Sequence, residues 1–273
     1  MNLQPYLDFT TQLAYRAGRI TLGYFNTGIR PDFKADDSPV TAADHAAEEF
    51  IRGEIEKAYP THTIIGEEFG ESTSAIRASV PNPLSTSVHP LQSVENFRWF
   101  VDPIDGTKSF LRGVPLYGVL IGLEIEGVIQ VGAAYYPGTD EMLCAADGLG
   151  AWWNGKRTRV SEVDTFERAW FCYTSYHGFE KRDPTLWKRL SDAAYVLRGW
   201  SDAYGYLAVA TGRAEVMIDP VLSDWNCGPF PVIFREAGGY FGSWSGKEGH
   251  AHGEALAVNA ALKSKVMELI RSE

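Results

Sequence analysis

The chain has 273 residues, 45% of them hydrophobic, and a formal net charge of -10. That apolar content supports a sizeable core and excludes disorder of the chain as a whole. Scattered Lys and Arg lack the basic patch that nucleic-acid binding needs, and no run approaches the ~20 apolar residues that span a bilayer. The three cysteines, Cys144, Cys172 and Cys227, show neither a CxxC pair nor a zinc spacing. They suit a reducing compartment. With no basic, apolar leader before Thr10, the expected location is the cytoplasm.

In chain order, near-helical apolar spacing predicts a helix over Leu3 to Phe25, with Gly28 placed to cap its end. A polar loop around Lys34 follows. Thr41 and Asp44 then have the spacing of a capping box, opening a helix that runs to about Ala58 and stops before Pro60. His62 to Ile65 reads as a strand leading into Gly66-Glu67-Glu68. Residues 71–97, rich in Ser, Pro, Thr and Asn, read as a long loop or insertion.

Strands are expected at Pro115 to Glu124, Val128 to Tyr136, Glu141 to Ala145 and Gly148 to Trp153, the last with a hairpin signal at Asn154-Gly155. Further strands fall at Ala169 to Thr174 and Ala194 to Leu197, around a helix at Pro184 to Ala193. A helix over Ala203 to Thr211, a strand at Ala214 to Ile218 and one helix over Asp224 to Glu236 come next. A strand at Leu256 to Val258 and a helix from Ala260, capped by Asn259, complete the chain. This alternation predicts a layered α/β (α+β) fold. Its expected halves are residues 1–160, carrying most of the acids, and 161–273.

The stretch Arg98 to Phe110 concentrates the chemistry. An apolar strand runs into Asp102-Pro103-Ile104-Asp105, and Gly106-Thr107 then opens a helix. Strand ends face the crevice where layered α/β folds bind ligands, and Glu67 sits at another such end. Clustered carboxylates repel one another unless a cation lies between them. An all-oxygen set suits Mg²⁺, which shares a phosphate oxygen. In the Asp-x-x-Asp spacing the first acid can bridge two ions and the second take one, with the Ile104 carbonyl facing the same ion. Free N–H groups at the helix start can hold a phosphate. The competing reading of Asp102 and Asp105 is a pair of turn residues ahead of a capped helix.

Four ordered segments carry a resemblance. Ser38-Pro39-Val40-Thr41 with Asp44, Gly66-Glu67-Glu68, Trp99 through Thr107, and Trp225-Asn226 with Glu236-Ala237-Gly238-Gly239 resemble motifs of the inositol monophosphatase superfamily. These are Mg²⁺-dependent, lithium-sensitive phosphatases, and the match spans nearly the whole chain. The resemblance implies a layered αβαβα fold, two or three Mg²⁺ ions and a homodimer. It implies that Glu67, Asp102 and the Ile104 carbonyl bind the first metal. Asp102, Asp105 and position 226 would bind the second, with Glu67 at a third, weaker ion. Asp44 and Thr107 would position the attacking water, and Gly106 and Thr107 would hold the phosphate. No covalent phosphoenzyme is implied. The chain departs from the pattern at Asn226, where the family has Asp; a neutral amide is a weaker Mg²⁺ ligand. The expectation is weaker binding of the second metal and a lower rate, or a homologue that binds without turnover.

Within that family, residues 199–206 with Asp202, then Ala210 to Ala214 and Asp219-Pro220, look like the histidinol-phosphatase branch. Histidinol phosphate is cationic away from its phosphate, so Asp202 and Asp219 would favour it. Asp202 as the cap of the helix from Ala203 carries similar weight. An inositol or broad sugar-phosphate phosphatase is the nearest rival. A nucleotide 3'-phosphatase is less favoured, because no added basic patch is visible.

Overall fold

The computed structural model describes residues 1–35, 39–73, 96–200 and 202–272. Ser38, Ser201 and most of the predicted insertion, residues 74–95, lie outside this set. Helix α1 (Gln4–Leu22) ends at Gly23, short of Phe25, and Gly28 falls in the turns beyond it. The short pair β1 (Asp32–Phe33) and β2 (Pro39–Val40) leads into α2 (Ala42–Ala58), which opens on the Thr41/Asp44 capping box as predicted. Then come β3 (Thr63–Gly66), β4 (Gly70–Thr73), β5 (Phe97–Asp105), α3 (Thr107–Leu111) and β6 (Gly118–Ile125). The first half closes with β7 (Val128–Tyr136), β8 (Glu141–Ala146), β9 (Gly150–Trp153) and β10 (Lys156–Arg157).

The second half runs β11 (Trp170–Tyr173), α4 (Tyr176–Arg182), α5 (Pro184–Ala193), β12 (Val196–Arg198), α6 (Ala203–Ala210) and β13 (Val216–Asp219). It continues with α7 (Asp224–Cys227), α8 (Phe230–Ala237), β14 (Gly239–Gly242), β15 (Ala255–Asn259) and α9 (Lys263–Arg271). Several details differ from the sequence reading, among them β4, which places Glu71 to Thr73 of the predicted loop in a strand, and the β1/β2 pair in the polar loop around Lys34. The helix predicted over Asp224 to Glu236 is two helices, because Pro229 has no N–H to continue the ladder. Helix α4 and strand β14 were not predicted. The last helix starts at Lys263, and Asn259 instead holds the preceding turn, its Oδ1 accepting the Leu262 N–H at 2.9 Å.

Eight strands form one sheet in the order β10-β9-β8-β7-β6-β5-β3-β4, antiparallel except for the β3/β5 pair. Five form a second, β12-β11-β13-β15-β14. Side chains alternate across β5: Trp99 and Val101 join α1 and α2 on one face, while Phe100 joins α6 and α8 on the other. That middle helical layer also meets Cys172, Met217 and Ala257 of the second sheet. The outer face of the second sheet packs Phe171, Ile218 and Val258 against α4, α5 and α9. The result is the expected αβαβα layering, with the end of β5 aimed between the two sheets' helical filling. No helix among the described residues is long and apolar enough to cross a membrane.

His62 illustrates how the first layer is pinned. Its Nδ1 accepts the Trp99 indole N–H at 3.0 Å, and its ring stacks 4.2 Å from Phe97 and 4.8 Å from Tyr59. Burial therefore pushes the imidazole down to about 4. Below pH 6.5 the unfolded chain takes the proton first, so the folded protein loses stability as pH falls from 6.5 through 4. The expected loss is about 3 kcal/mol, read as a falling melting temperature. His62→Gln, which keeps an acceptor for Trp99, should flatten that slope; an unchanged slope would assign it to other groups.

Candidate active site

The site begins where β5 loses its regular pairing. Register with β6 holds to Asp102 opposite Leu120 and then shifts before Asp105 opposite Gly118. Pro103 sits in this bulge and has no N–H to give to the ladder. The irregularity brings both acids onto one partner: Asn226 Nδ2 donates to Asp102 Oδ2 at 2.6 Å and to Asp105 Oδ1 at 3.2 Å. Asp102 Oδ1 also accepts the Ile104 N–H at 3.0 Å, so the turn role weighed from the sequence coexists with the site role.

Gly106 follows at φ 90, a left-handed conformation that suits glycine, and it caps α3. A Cβ there would lie 2.9 Å from Asp202 Oδ2. Thr107 Oγ1 lies 3.1 Å from Ile104 O and 3.4 Å from Asp44 Oδ1. Asp44 comes from the first turn of α2, where its Oδ2 accepts both the Thr41 N–H at 2.8 Å and the Thr41 hydroxyl at 2.6 Å. Oδ1 is thus the oxygen turned to Thr107.

Glu67 enters from the end of β3, its N–H bonded to Val101 O at 3.2 Å. Lys34 Nζ reaches over it, 2.8 Å from Glu67 Oε1 and 2.8 Å from Glu68 Oε2. The loop lysine is therefore paired with both acids. Burial alone would lower the Lys34 ammonium, but its hydrogen bonds to Glu67 and Glu68 outweigh that and hold it above its usual range. Burial also pushes Glu68 up to about 7 against the pull of Lys34.

Asn226 arrives on α7, whose end sits directly on the large sheet. A Cβ on Gly122 would fall 2.1 Å from Gly228 O, and one on Gly132 2.4 Å from Pro229 O. Backbone lies on backbone at this seam. Asn226 closes a capping box with Ser223, its Oδ1 accepting the Ser223 N–H at 3.2 Å. That bond is what turns Nδ2, rather than the carbonyl oxygen, toward Asp102 and Asp105.

Asp202 precedes α6 at φ 56 and makes no side-chain capping bond. It accepts the Ser109 hydroxyl at 3.1 Å instead, which disfavours the capping reading. The next residue ties it to the acids: Ala203 N–H donates to Asp105 Oδ2, and Tyr136 OH donates to Ala203 O at 2.9 Å. Asp219 is brought to the same region but is enclosed, only 1% exposed. Its Oδ1 accepts the Thr174 N–H at 3.2 Å and its Oδ2 the Tyr206 hydroxyl at 2.6 Å. Burial pushes it up to about 6. Tyr136 carried no sequence signal, and Ser109, Ala203 and Tyr206 fell inside segments singled out above without roles of their own; each acts through a fold contact with an acid or with the peptide that touches one.

The electrostatics are those of crowded anions. Burial, then Glu67 and Asp105, holds the Asp102 carboxyl well above the usual range. Asp105 is raised by burial and then by Asp202, and Asp44 by burial against its bonds to Thr41. Among the described residues no three acids or histidines converge on a common centre; the acids are drawn to Asn226 Nδ2 and Lys34 Nζ. The oxygens of Glu67, Asp102, Ile104 and Asp105 nonetheless fit a hard divalent cation, since they carry more negative charge than Lys34 offsets and Asp102 is fully buried.

Residues 2–273 match the inositol monophosphatase family. The chain belongs to that family. Enzymes of the inositol monophosphatase family are metal-dependent phosphatases, generally using Mg²⁺. A histidinol-phosphatase of Chlorobaculum parvum is 38% identical, over 98% of this chain and 97% of its own. A histidinol-phosphatase of Mycobacterium tuberculosis is 33% identical over 93% and 94%. The crystal structure of the extragenic suppressor protein suhB from Bartonella henselae superposes with a TM-score of 0.86 at 25% identity, covering 98% of this chain and 99% of that one.

Proposed function

We propose that the chain is a Mg²⁺-dependent phosphomonoesterase whose substrate is histidinol phosphate. The acids at the end of β5, Asp102 and Asp105, with Glu67 at the end of β3, carry the reaction class. Glu67, Asp102, the Ile104 carbonyl, Asp105 and the Asn226 side chain would hold two ions, with Glu67 also at a third. Bound there, Mg²⁺ supplies charge stabilisation to the phosphoryl oxygens. Gly106 and Thr107 hold the phosphate through their N–H groups. Asp44 Oδ1 and Thr107 Oγ1 orient the attacking water, because Thr41 already occupies Asp44 Oδ2. The alcohol leaves on the side of Asp202.

The substrate rests on charge as well as on the relatives' names. Asp202 stands over Gly106, where a cationic leaving group is favoured and the uncharged inositol ring gains nothing. Asp219, enclosed by Thr174 and Tyr206, contributes through its field. With Mg²⁺ present, kcat/KM for histidinol phosphate should exceed that for inositol 1-phosphate at least tenfold. Asp202→Asn should raise KM for histidinol phosphate about tenfold, roughly one charge-assisted contact, and change the inositol phosphate reaction far less. A panel measuring released phosphate decides this; equal preference in the parent would overturn the substrate assignment.

A second reading is a homologue that binds metal and phosphate without turnover. The orientation of Asn226 favours it, since its carbonyl oxygen is engaged by Ser223. Absence of phosphate release from every monoester, together with measurable Mg²⁺ binding, would select this reading.

A further inference from the structure

One face of α2 carries three charged side chains one turn apart: Asp44, Glu48 and Arg52. Asp44 belongs to the site. Glu48 is fully buried, with Oε2 accepting the Glu68 N–H at 2.8 Å and Oε1 the Phe69 N–H at 3.3 Å. Arg52 Nε donates to Glu48 Oε1 at 2.8 Å. The same guanidinium donates to Ser72 Oγ at 2.6 Å and to Gly70 O. The approach is close enough that a Cβ on Gly66 would lie 2.0 Å from Glu48 Oε1.

These bonds hold both sides of the tight turn between β3 and β4. Glu67 is on that turn, and the two peptide N–H groups that follow it are both bonded to Glu48. Its carboxylate position is therefore set by a helix that also positions Asp44. We propose that Glu48 is a positioning residue for the metal-binding acid Glu67, with Arg52 fixing Glu48 in turn. Glu48 touches neither substrate nor ion; it acts through the backbone of Glu68 and Phe69. A buried side chain that spends both oxygens on consecutive N–H groups constrains the turn far more than packing would.

The inference rests on the metal-dependent reading above, so its test uses readouts that do not require turnover. Glu48→Gln keeps the length of the side chain but presents an amide nitrogen to one of the donors it now accepts. In metal-free protein, hydrogen exchange at the Glu68 and Phe69 amides should accelerate at least tenfold, while amides of β6 and β7 are unchanged. Calorimetric titration of Mg²⁺ alone should show about a tenfold weaker dissociation constant. Ile55→Val, a core truncation on the same helix, serves as the control for general loosening and should leave Mg²⁺ affinity unchanged. Equal weakening in both variants, or parent-like affinity in folded Glu48→Gln, overturns the proposal. If Glu48→Gln does not fold, Arg52→Lys takes its place. It retains the charge but cannot reach Glu48, Ser72 and Gly70 together, and about a threefold weaker affinity is expected; none would overturn the proposal. Loss of phosphatase activity on every substrate, with these binding and exchange results intact, would count against the proposed reaction and not against Glu48.

Discussion

Asp102→Asn should lower phosphate release by about three orders of magnitude or more, the scale associated with losing a group that holds charge-stabilising ions. The parent should gain stability from Mg²⁺. At a hundredfold excess over its dissociation constant an ion adds about 2.7 kcal/mol. For a chain of this size that raises the melting temperature by roughly 5–10 °C. In Asp102→Asn that rise should vanish. The metal-free melting temperature should stay within a few degrees of the parent, because two effects oppose. The variant loses the acceptor for Asn226 Nδ2 but relieves the repulsion from Glu67 and Asp105 that raises Asp102. Thermal melts with and without Mg²⁺, beside a phosphate-release assay, check both halves. A variant that keeps its Mg²⁺-dependent rise would remove Asp102 from the ion-binding set.

Asn226→Asp should act in the opposite sense on metal and on stability. The Asp can keep the capping bond to Ser223, but its second oxygen would face Asp102 and Asp105 where Nδ2 now donates. A third carboxylate without a counter-charge should cost the metal-free protein about 1–3 kcal/mol, the penalty of an uncompensated buried polar contact. An anionic ligand in the same place should reduce the Mg²⁺ concentration for half-maximal activity tenfold or more and raise the rate. Melts in chelator and activity against Mg²⁺ concentration measure the two effects. If neither moves, position 226 lies outside the metal set.

Much of this site was legible because its acids stand beside residues that force strand ends. Asp102 and Asp105 are flanked by Pro103 and Gly106, and Asp44 has the spacing of a capping box; both are local features that need no knowledge of the fold. Local chemistry also gave α2, α5 and β7 closely. What failed was local too. Apolar residues at Phe230, Val232, Ile233 and Phe234 suggest a continuous helix back to Asp224, yet Pro229 marks the break. Helix α4, with Gly178 and mixed polar residues, has no apolar period to read.

Contacts between distant segments were beyond reach. Lys34 meets Glu67 and Glu68 across more than thirty residues; a pairing with a site carboxylate is open to a loop lysine, but neither segment says which acids it meets. For Asp202, capping and substrate contact weighed equally in the sequence. The backbone at φ 56 and the bond from Ser109 supply what the sequence lacked.

The seam beneath α7 limits the routes by which the site can change. Gly122 and Gly228, and Gly132 and Pro229, meet backbone to backbone, with no side chain between that could be trimmed or lengthened. Position 226 is therefore held at a fixed height over Asp102 and Asp105, and mutation at the seam can only pry it away. On the proposed metal reading, demand for the ion is then adjusted here by the identity of residue 226 itself. On the same reading, choice of substrate falls to Asp202, which precedes α6 and accepts the Ser109 hydroxyl. The two adjustments are coupled, because Asp202 lies near enough to raise Asp105 and the Ala203 N–H beside it donates to that acid.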